Sequence, residues 1–390
     1  MRDSFQARGG KALRRRWRVA GRYAFMIRAL GLRRFLRRVR NDRKYAEQHA
    51  TQLTRVTKAI WKEAADTVGA EMRECSSSIT EFRLGNAVVQ VMGQRTPFAS
   101  LPSVEIASDK PLAYRLLREA GLPVPEHVLV RPHDVDAALQ FLEQHAGPHI
   151  VKPARGGAGE GVVGAVRTPT QLRRAIRRAS ARYADVLVER EVAGDHYRLL
   201  VLDGDVLDVV RRTRPQIVGN GRSTVEELIE REYEDRLESD EGATVLKPFV
   251  VDLDALFTLE QQGLELGSIP PDGAVLTVMS ASNFGRPEDS ETFQGTVSPL
   301  LETEVRLACA VLGTRLGGVD VITTRTDIAL SASGGVILEV NPIPGLQHHY
   351  AVADRASATR VAVPILRALF DDSIARTSAS LGQSPPDGQS

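Results

Sequence analysis

The stretch Gly318-Val-Asp-Val-Ile322, followed by Gly335-Val-Ile-Leu-Glu-Val-Asn-Pro-Ile-Pro-Gly345, decides the fold prediction. Both segments are short and rich in β-branched residues, which is typical of buried strands. Glu339 and Asn341 are two residues apart, so their side chains point to the same face of a strand. Asp320 can join them from the neighbouring strand. The sequence therefore predicts three oxygen-bearing side chains at one place.

These three side chains have the chemistry of a magnesium site. Carboxylate and amide oxygens are hard ligands that suit Mg²⁺, which keeps several waters and takes further ligands from substrate phosphates. Asp320, Glu339 and Asn341 are the predicted metal ligands, and Mn²⁺ is the alternative ion. The competing interpretation is an edge strand with polar ends, and this motif alone does not decide between the two.

Length and composition indicate a globular chain of more than one domain. A chain of 390 residues is long for a single core and predicts two or three domains. The hydrophobic share of 42% and the charged share of 26% are ordinary for a globular protein. Cys75 and Cys309 show no pairing pattern, which argues against a disulfide framework. We find no apolar run near the roughly 18 residues of a membrane span and no secretion signal, so a cytoplasmic location is expected.

Charge is spread unevenly along the chain. Residues 1–44 contain 16 arginines and lysines but only two acidic residues, whereas the remainder has 35 basic and 47 acidic residues. Apolar residues recur in the segment near helical spacing, which predicts a basic helical arm. One interpretation is a helix packed on the domain with a solvated basic face. The alternatives are docking to an acidic carrier protein or anionic substrate, an interfacial membrane helix and an organelle transit peptide. Membrane contact is not favoured, and nucleic acid is the weakest candidate because no reading motif accompanies the charge.

A glycine-rich loop follows a predicted strand that ends near Lys152. It reads Lys152-Pro-Ala-Arg-Gly156-Gly-Ala-Gly159-Glu-Gly161. Glycines let a backbone approach phosphate oxygens closely, and successive N–H groups can cradle them. The loop lacks the Gly-Lys-Ser/Thr of a P-loop. Phosphate binding and a flexible hairpin both remain open for this loop taken alone.

Several motifs, in this order, resemble the ATP-grasp superfamily. The closest likeness is to the ligase domain of cyanophycin synthetase and its unassigned relatives, and glutathione synthetases and D-alanine–D-alanine ligases are more distantly similar. The resemblance extends from about Tyr45 to about Leu369. The segments that carry it are Ile60-Trp-Lys-Glu-Ala-Ala65, Ser108-Asp-Lys-Pro to Pro125, the Lys152 loop, Tyr197-Arg-Leu-Leu-Val201, Val210-Arg-Arg212, Gly219-Asn-Gly-Arg-Ser-Thr to Glu230, and Glu339 to His349.

The resemblance implies an α/β (α+β) ATP-grasp fold. Three subdomains would clamp ATP between two of them, with the basic helical arm as an N-terminal extension. We therefore expect an N-terminal α/β subdomain (45–124), a central lid subdomain (125–190) and a C-terminal subdomain with the magnesium site (191–369), preceded by the arm (1–44). The Ser-, Gly- and Pro-rich composition at the end of the sequence predicts a disordered tail (370–390).

The resemblance also implies which residues bind the nucleotide. Lys110 and Lys152 would hold the ATP phosphates, and Glu189 would accept the adenine amino group. Val192 would offer backbone contacts to the ring, and His196 stands where relatives carry an acid for the ribose hydroxyls. Three glycines would form the mobile flap over the triphosphate: Gly156, Gly159 and Gly161.

The implied reaction needs no protein nucleophile. A substrate carboxylate attacks the γ-phosphate to give an acyl phosphate, and an amine then displaces phosphate to form an amide, so positioning and charge neutralisation carry the catalysis. Arg211 and Arg212 are the predicted catalytic residues, with strand-end salt bridges as the alternative. Asn283, Arg286 and Gly345 are the predicted substrate contacts. Met279 stands where the cyanophycin-type pattern has an arginine, and Arg286 could replace that missing charge.

The expected function is an ATP- and Mg²⁺-dependent carboxylate–amine ligase that releases ADP and phosphate. Its substrates would be a small-molecule carboxylate and an amine, either amino-acid-like or carrier-bound, and a homodimer is expected. The alternatives are a carboxylate–thiol ligase, a phosphotransferase of the same fold, and a non-catalytic nucleotide-binding module.

Overall fold

The computed structural model describes residues 27, 31–157, 159–181, 183–238, 251–281 and 289–381. The predicted substrate residues Asn283 and Arg286 lie outside these residues, as does most of the basic arm before residue 31. Within them the chain is a mixed α/β structure with several antiparallel sheets, which confirms the predicted fold class.

Helices and strands alternate along most of the chain. The helices are α1 (Leu32–Val68), α2 (Leu101–Ser108), α3 (Lys110–Glu119), α4 (Asp136–Gln144), α5 (Pro169–Ala179), α6 (Val225–Glu238), α7 (Leu253–Gln261), α8 (Pro299–Val311), α9 (Leu330–Ser333) and α10 (Ala362–Leu381). The strands are β1 (Glu71–Glu74), β2 (Ile79–Leu84), β3 (Ala87–Met92), β4 (His127–Val130), β5 (His149–Pro153), β6 (Val163–Val166), β7 (Val186–Arg190), β8 (Asp195–Leu202), β9 (Asp205–Arg212), β10 (Gln216–Val218), β11 (Val275–Thr277), β12 (Ser290–Thr292), β13 (Leu316–Thr323) and β14 (Val336–Asn341).

The first unit is an antiparallel meander, β1–β2–β3, packed on two helices from opposite ends of the chain. Helix α1 covers the sheet with Trp61, whose indole N–H donates to the carbonyl of Gly93 at 2.8 Å. Helix α10 completes the same apolar core and contacts both α1 and β3. The turn between β2 and β3 has Gly85 at φ +57°, a conformation that favours glycine and suits a tight hairpin.

The second unit is a four-stranded sheet in the order β4–β7–β5–β6, in which every pair is antiparallel. Helices α4 and α5 pack on it. Helix α5 begins at a capping box in which Thr168 and Gln171 satisfy each other's backbone N–H groups, and its apolar residues, such as Leu172 and Ile176, face the sheet. The glycine-rich loop joins β5 to β6 at one end of this sheet.

The third unit is a five-stranded antiparallel sheet in the order β12–β9–β8–β13–β14. Helix α8 covers the middle strands of this sheet. A small satellite unit joins the two-stranded ribbon of β10 and β11 to helix α6. Helix α7 lies between units, because Leu253 and Phe257 enter the core of the second unit while Ala255 and Leu259 enter the core of the satellite.

Two details differ from the predicted division of the chain. Helix α1 runs without interruption across residues 44 and 45, so the arm and the first unit share one helix. Helix α10 reaches Leu381, and Phe370 is only 2% exposed, so the predicted disordered tail at 370–390 is wrong for residues 370–381. Composition suggests disorder, but apolar residues at helical spacing, which end with Leu369 and Phe370, hold the start of this segment in the first core, and the helix continues from there. The boundaries at 124 and 190 stay predictions.

Among the described residues, no helix combines the length and the apolar character that crossing a bilayer requires.

Phe370 gives a test of the helix that replaces the predicted tail. Phe370→Ala should lower the free energy of unfolding by about 3–5 kcal/mol, because it empties a buried aromatic site between α10 and the first sheet. Urea unfolding followed by circular dichroism measures this. Ile374→Ala, on the same helix but with Ile374 52% exposed, is the control and should change stability by less than about 0.5 kcal/mol. Equal effects of the two variants would show that α10 does not bury Phe370 in solution.

Candidate active site

A cleft of about 360 Å³ lies between the second and third units. One wall consists of β5, β7 and the glycine-rich loop, and the opposite wall consists of β8, β9, β13 and β14. Ten of the predicted site residues line this cleft: Lys110, Lys152, Gly156, Gly159, Glu189, Val192, His196, Arg212, Asp320 and Glu339.

Two lysines enter the cleft from different elements. Lys110 stands in the first turn of α3, which Asp109 caps by accepting from Leu112 N at 3.2 Å. Its ammonium donates to the carbonyl of Gly156, and its backbone N–H donates to Ala154 O at 3.0 Å, so α3 is tied to the start of the glycine-rich loop. Burial lowers the pKa of Lys110, the charge of Lys152 lowers it further, and Glu339 opposes both.

Lys152 is buried in a network of its own. Its Nζ lies 2.8 Å from Glu189 Oε1 and donates to the hydroxyl of Tyr114 at 2.9 Å. Tyr114, from α3, in turn donates to the carbonyl of Leu338 on β14 at 2.9 Å. One tyrosine thus connects the lysine of the second unit to the strand that carries Glu339 in the third.

The register of β13 brings the predicted metal ligands together. Asp320 is the cross-strand partner of Glu339 on β14 and of Arg198 on β8. Arg198 Nε and Nη2 donate to the two carboxylate oxygens of Asp320 at 2.7 and 2.6 Å. Asn341, with its amide turned to satisfy both neighbours, donates to Glu339 Oε1 and accepts from Arg198 Nη2, each at 3.2 Å. Asp320, Glu339 and Asn341 therefore belong to one hydrogen-bonded group around a guanidinium.

The charge state of Asp320 follows from this group. Burial alone would raise its pKa, but Arg198 and the neighbouring His196 hold the pKa well below the usual 3.8. His196 Nε2 lies 3.6 Å from Asp320 Oδ1. Asp320 is thus an anion at neutral pH, as a metal ligand must be.

The glycine-rich loop adopts backbone conformations that only glycine reaches easily. Gly156, Gly159 and Gly161 have φ of +102°, +70° and +81°. Gly157 faces the carboxylates, since a Cβ there would lie 3.9 Å from Glu339 Oε1. Gly161 does not line the cleft and instead packs against Pro153, which a Cβ would approach to 3.0 Å.

The two predicted catalytic arginines lie on opposite faces of β9. Arg212 is 4% exposed and lines the cleft, where burial and the charge of Arg198 lower its pKa to about 9. Arg211 does not line the cleft. It pairs with Glu291 at 2.7 Å and Asp195 at 3.4 Å, which fits the salt-bridge alternative.

Gly345 also lies outside the cleft lining, directly before the 3-10 helix Leu346–His349.

Sequence and fold comparisons agree with this geometry. The model of a family described as "D-ala D-ala ligase C-terminus" matches residues 116–234. The chain is 29% identical over 296 residues to a cyanophycin synthetase of Nostoc sp., which covers 76% of this chain and 33% of the relative. It is also 29% identical over 251 residues to a glutathione biosynthesis bifunctional protein of Streptococcus mutans, covering 62% of this chain and 32% of the relative. The chain therefore spans about a third of the length of these curated relatives.

The solved structure of a bifunctional glutathione synthetase from Pasteurella multocida shares the fold. The TM-score is 0.52 at 21% identity, over 81% of this chain and 44% of that one. The chain is thus similar to these proteins in sequence over most of its length, and it is similar to the solved synthetase in fold.

Two residues that hold lining residues of this cleft have no role predicted from the sequence. Arg198 lies in the segment Tyr197-Arg-Leu-Leu-Val201, on the strand that follows Glu189. Nothing in this segment indicates that its side chain reaches Asp320. Tyr114 lies in the segment from Ser108 to Pro125, where its position in the sequence is that of an ordinary residue on the apolar face of a helix. Both residues form hydrogen bonds with partners more than 100 positions away in the sequence, and a single sequence does not reveal such contacts.

Breaking the Arg198–Asp320 pair should destabilise the chain strongly. Arg198→Met leaves the Asp320 carboxylate buried without its guanidinium and should lower the free energy of unfolding by about 3–5 kcal/mol. Asp320→Asn in the Arg198→Met background should recover part of that loss, because no buried charge then remains. Chemical denaturation of the two single variants and the double variant measures the coupling.

Arg211→Met is the matched control for this pair. Its partners are partly exposed, so its cost should stay below about 1 kcal/mol. A loss for Arg198→Met as small as that of the control would contradict the buried pair.

Proposed function

We propose that this chain is an ATP-dependent carboxylate–amine ligase that forms an amide or peptide bond through an acyl phosphate. The observation that carries the proposal is the convergence of two lysines and two carboxylates from separate units on one cleft. The resemblance to the ATP-grasp superfamily supports ATP and Mg²⁺ as its cofactors. The relatives named above are synthesis enzymes by their printed names, and this agrees with a bond-forming reaction.

The donor set suits magnesium. Asp320 and Glu339 are carboxylates on adjacent strands, and Asn341 adds an amide oxygen, so all three donors are hard oxygens. Among the described residues, no cluster of three or more His, Cys, Asp or Glu offers a competing site of another type. Each carboxylate oxygen of Asp320 accepts one bond from Arg198 and has a lone pair left for a cation. These residues would hold Mg²⁺, which would neutralise phosphate charge as a Lewis acid.

The opposite wall suits the nucleotide. Lys110 and Lys152 supply two positive charges beside a loop whose backbone N–H groups have room to approach phosphate oxygens, because Gly156, Gly157 and Gly159 carry no side chain. Glu189 remains the proposed partner of the adenine amino group. The ion pair with Lys152 leaves its second oxygen able to accept another bond.

Positioning explains how the chain would catalyse the reaction. The lysines would hold the γ-phosphate in line with a substrate carboxylate, and a closed cleft keeps water from the acyl phosphate. Arg212 is the proposed partner of the charge that develops during both transfers, because it is buried and lines the cleft. An anion in the cleft would also offset the repulsion between Arg212 and Arg198 that lowers the pKa of Arg212.

Product analysis separates the ligase from the other functions that this fold could support. A carboxylate–amine or carboxylate–thiol ligase releases ADP and phosphate, whereas a phosphotransferase releases ADP and a phosphorylated product. A non-catalytic nucleotide-binding module releases neither. The intact set of charged cleft residues favours an enzyme over such a module.

A screen for ADP release across pairs of amino acids and acyl donors tests the proposal. Glu339→Gln should reduce ADP release at least about 100-fold in every active pair, because the site loses a metal-binding charge while keeping the shape of the side chain. Glu143→Gln, a substitution at an exposed position of α4, is the control and should leave ADP release unchanged. Full turnover by Glu339→Gln would remove this residue from the metal site.

The partner of the basic arm is a second part of the proposal. We propose that one substrate is carried by an acidic protein that docks on the arm, supported by the 16 basic residues among the first 44. A cytoplasmic homodimer is proposed with it. Both cysteines, Cys75 and Cys309, are free, as is usual in a reducing compartment.

Deletion of residues 1–30 tests the docking and leaves α1 whole. The full chain should capture an acidic carrier protein in a complex that weakens as salt is raised, and the shortened chain should lose that capture while still releasing ADP with free substrates. Equal capture by both chains would exclude residues 1–30 as the docking element.

A further inference from the structure

A buried carboxylate outside the metal site joins two parts of the cleft. Asp254, at the start of α7, is fully buried. Its Oδ1 accepts from the backbone N–H of Gly164 at 2.6 Å and from the hydroxyl of Ser280. Its Oδ2 accepts from the backbone N–H of Ser280 at 2.9 Å and, more weakly, from that of Ala281 at 3.5 Å.

The two groups that Asp254 connects belong to different units. Gly164 lies on β6, three residues after Gly161 of the glycine-rich loop. Ser280 and Ala281 follow β11 and line the cleft. Within the described residues, the hydrogen bonds of Asp254 to groups beyond its own helix come only from these two places, and none comes from an arginine or lysine. The carboxylate is therefore placed between the loop strand and a wall of the cleft.

The backbone of β6 is shaped for this contact. The pairing of β5 with β6 shifts register between His149 and Val151, so β6 has one extra residue and forms a bulge at Gly164 and Ala165. Ala165 has φ +54°, an uncommon conformation for a residue with a side chain. A bulge frees a backbone N–H from the sheet, and here the N–H of Gly164 is bonded to Asp254.

The contact between β6 and the cleft wall at Ser280 is closely packed. A Cβ on Gly164 would lie 2.2 Å from Ser280 Oγ, so only glycine allows the wall to approach β6 this closely. Helix α7 is held on both sides, by Gln171 of α5 bonding Glu260 at 3.0 Å and by Gln262 bonding the backbone of Thr277. Asp254 therefore lies on a helix that is bonded both to the second unit and to the satellite. A displacement of one of these units relative to the other would strain the bonds of α7.

We propose that Asp254 is a positioning residue that fixes the cleft wall at Ser280 and Ala281 to the strand that leaves the glycine-rich loop. The inference rests on the proposed function, because it assigns this wall to the cleft that binds nucleotide and substrate. Closure of the loop over a nucleotide is then transmitted to the wall, so the two sides of the cleft respond together.

The charge of Asp254 agrees with this role. Burial raises its pKa, the nearby carboxylate of Asp252 raises it further, and the pKa reaches about 6. Among the described residues, Arg178 of α5 also brings a charge to this place and lies 3.7 Å from Asp252. At pH 7 the carboxylate is mainly ionised and accepts all of its bonds.

The isosteric variant Asp254→Asn tests the proposal by hydrogen exchange of the ligand-free protein. The amide oxygen can still accept from Gly164, but the amide nitrogen would face the N–H groups of Ser280 and Ala281. Exchange in residues 278–281 should accelerate about tenfold or more, the consequence of losing one charge-assisted hydrogen bond, while residues 163–166 change less.

Asp252→Asn is the matched control. Asparagine keeps the N-cap of α7, which Asp252 provides by accepting from Asp254 N and Ala255 N, so the wall should stay protected. If Asp254→Asn does not fold, Gly164→Ala serves instead, because its Cβ should displace Ser280 and expose the same residues with Asp254 intact. Unchanged exchange of residues 278–281 in Asp254→Asn or in Gly164→Ala overturns the proposal.

A second measurement adds AMPPNP and Mg²⁺. In the wild type the nucleotide analogue should protect both the glycine-rich loop and residues 275–281, whereas in Asp254→Asn it should protect the loop alone. Equal protection of the wall in both proteins overturns the coupling. If the analogue protects neither segment of the wild type, the proposed nucleotide site fails, and the ligand-free comparison still decides whether Asp254 holds the wall.

Discussion

The site depends on the register of one strand. Because β13 pairs with β14 on one side and β8 on the other, Asp320 has Glu339 and Arg198 as its two cross-strand neighbours. A shift of one residue would turn Asp320 to the opposite face and separate all three. The bidentate pair of Arg198 with Asp320 makes that register costly to leave, since either charge alone would be buried without compensation.

The same pair also sets the electrostatics of the cleft. Arg198 keeps Asp320 ionised and at the same time disfavours the charge on Arg212. On the facing wall, Glu189 forms an ion pair with Lys152, whereas Lys110 is half-buried and the charge of Glu339 opposes the lowering of its pKa by burial. The two walls are therefore not independent. Tyr114 gives this dependence a physical path, because its hydroxyl bonds to Lys152 on one side and to the backbone of β14 on the other.

Much of this arrangement could be predicted from local sequence. The Glu-Val-Asn spacing places two ligands on one face by strand geometry alone, and glycines at 156 and 159 indicate a loop that approaches another group closely.

The residues that sequence could not assign act through long-range contacts. Arg198 meets Asp320 only because the sheet forms, and Asp254 meets Gly164 and Ser280 only because three separate elements pack together. Composition misled at α10, where Ser- and Gly-rich residues follow an apolar face that ends in the core. Arg211 and Arg212 show the limit most clearly, because adjacent residues on a strand face opposite ways and the sequence does not say which one faces the cleft.

The central claim is that one magnesium nucleotide is held by two lysines on one wall and by carboxylates on the other. A crystal structure with AMPPNP and Mg²⁺ tests it most directly. The account predicts a metal within about 2.1 Å of oxygens of Asp320 and Glu339, with phosphate oxygens in contact with Lys110 and Lys152. A nucleotide bound elsewhere, or bound in the cleft with its metal away from both carboxylates, would contradict it.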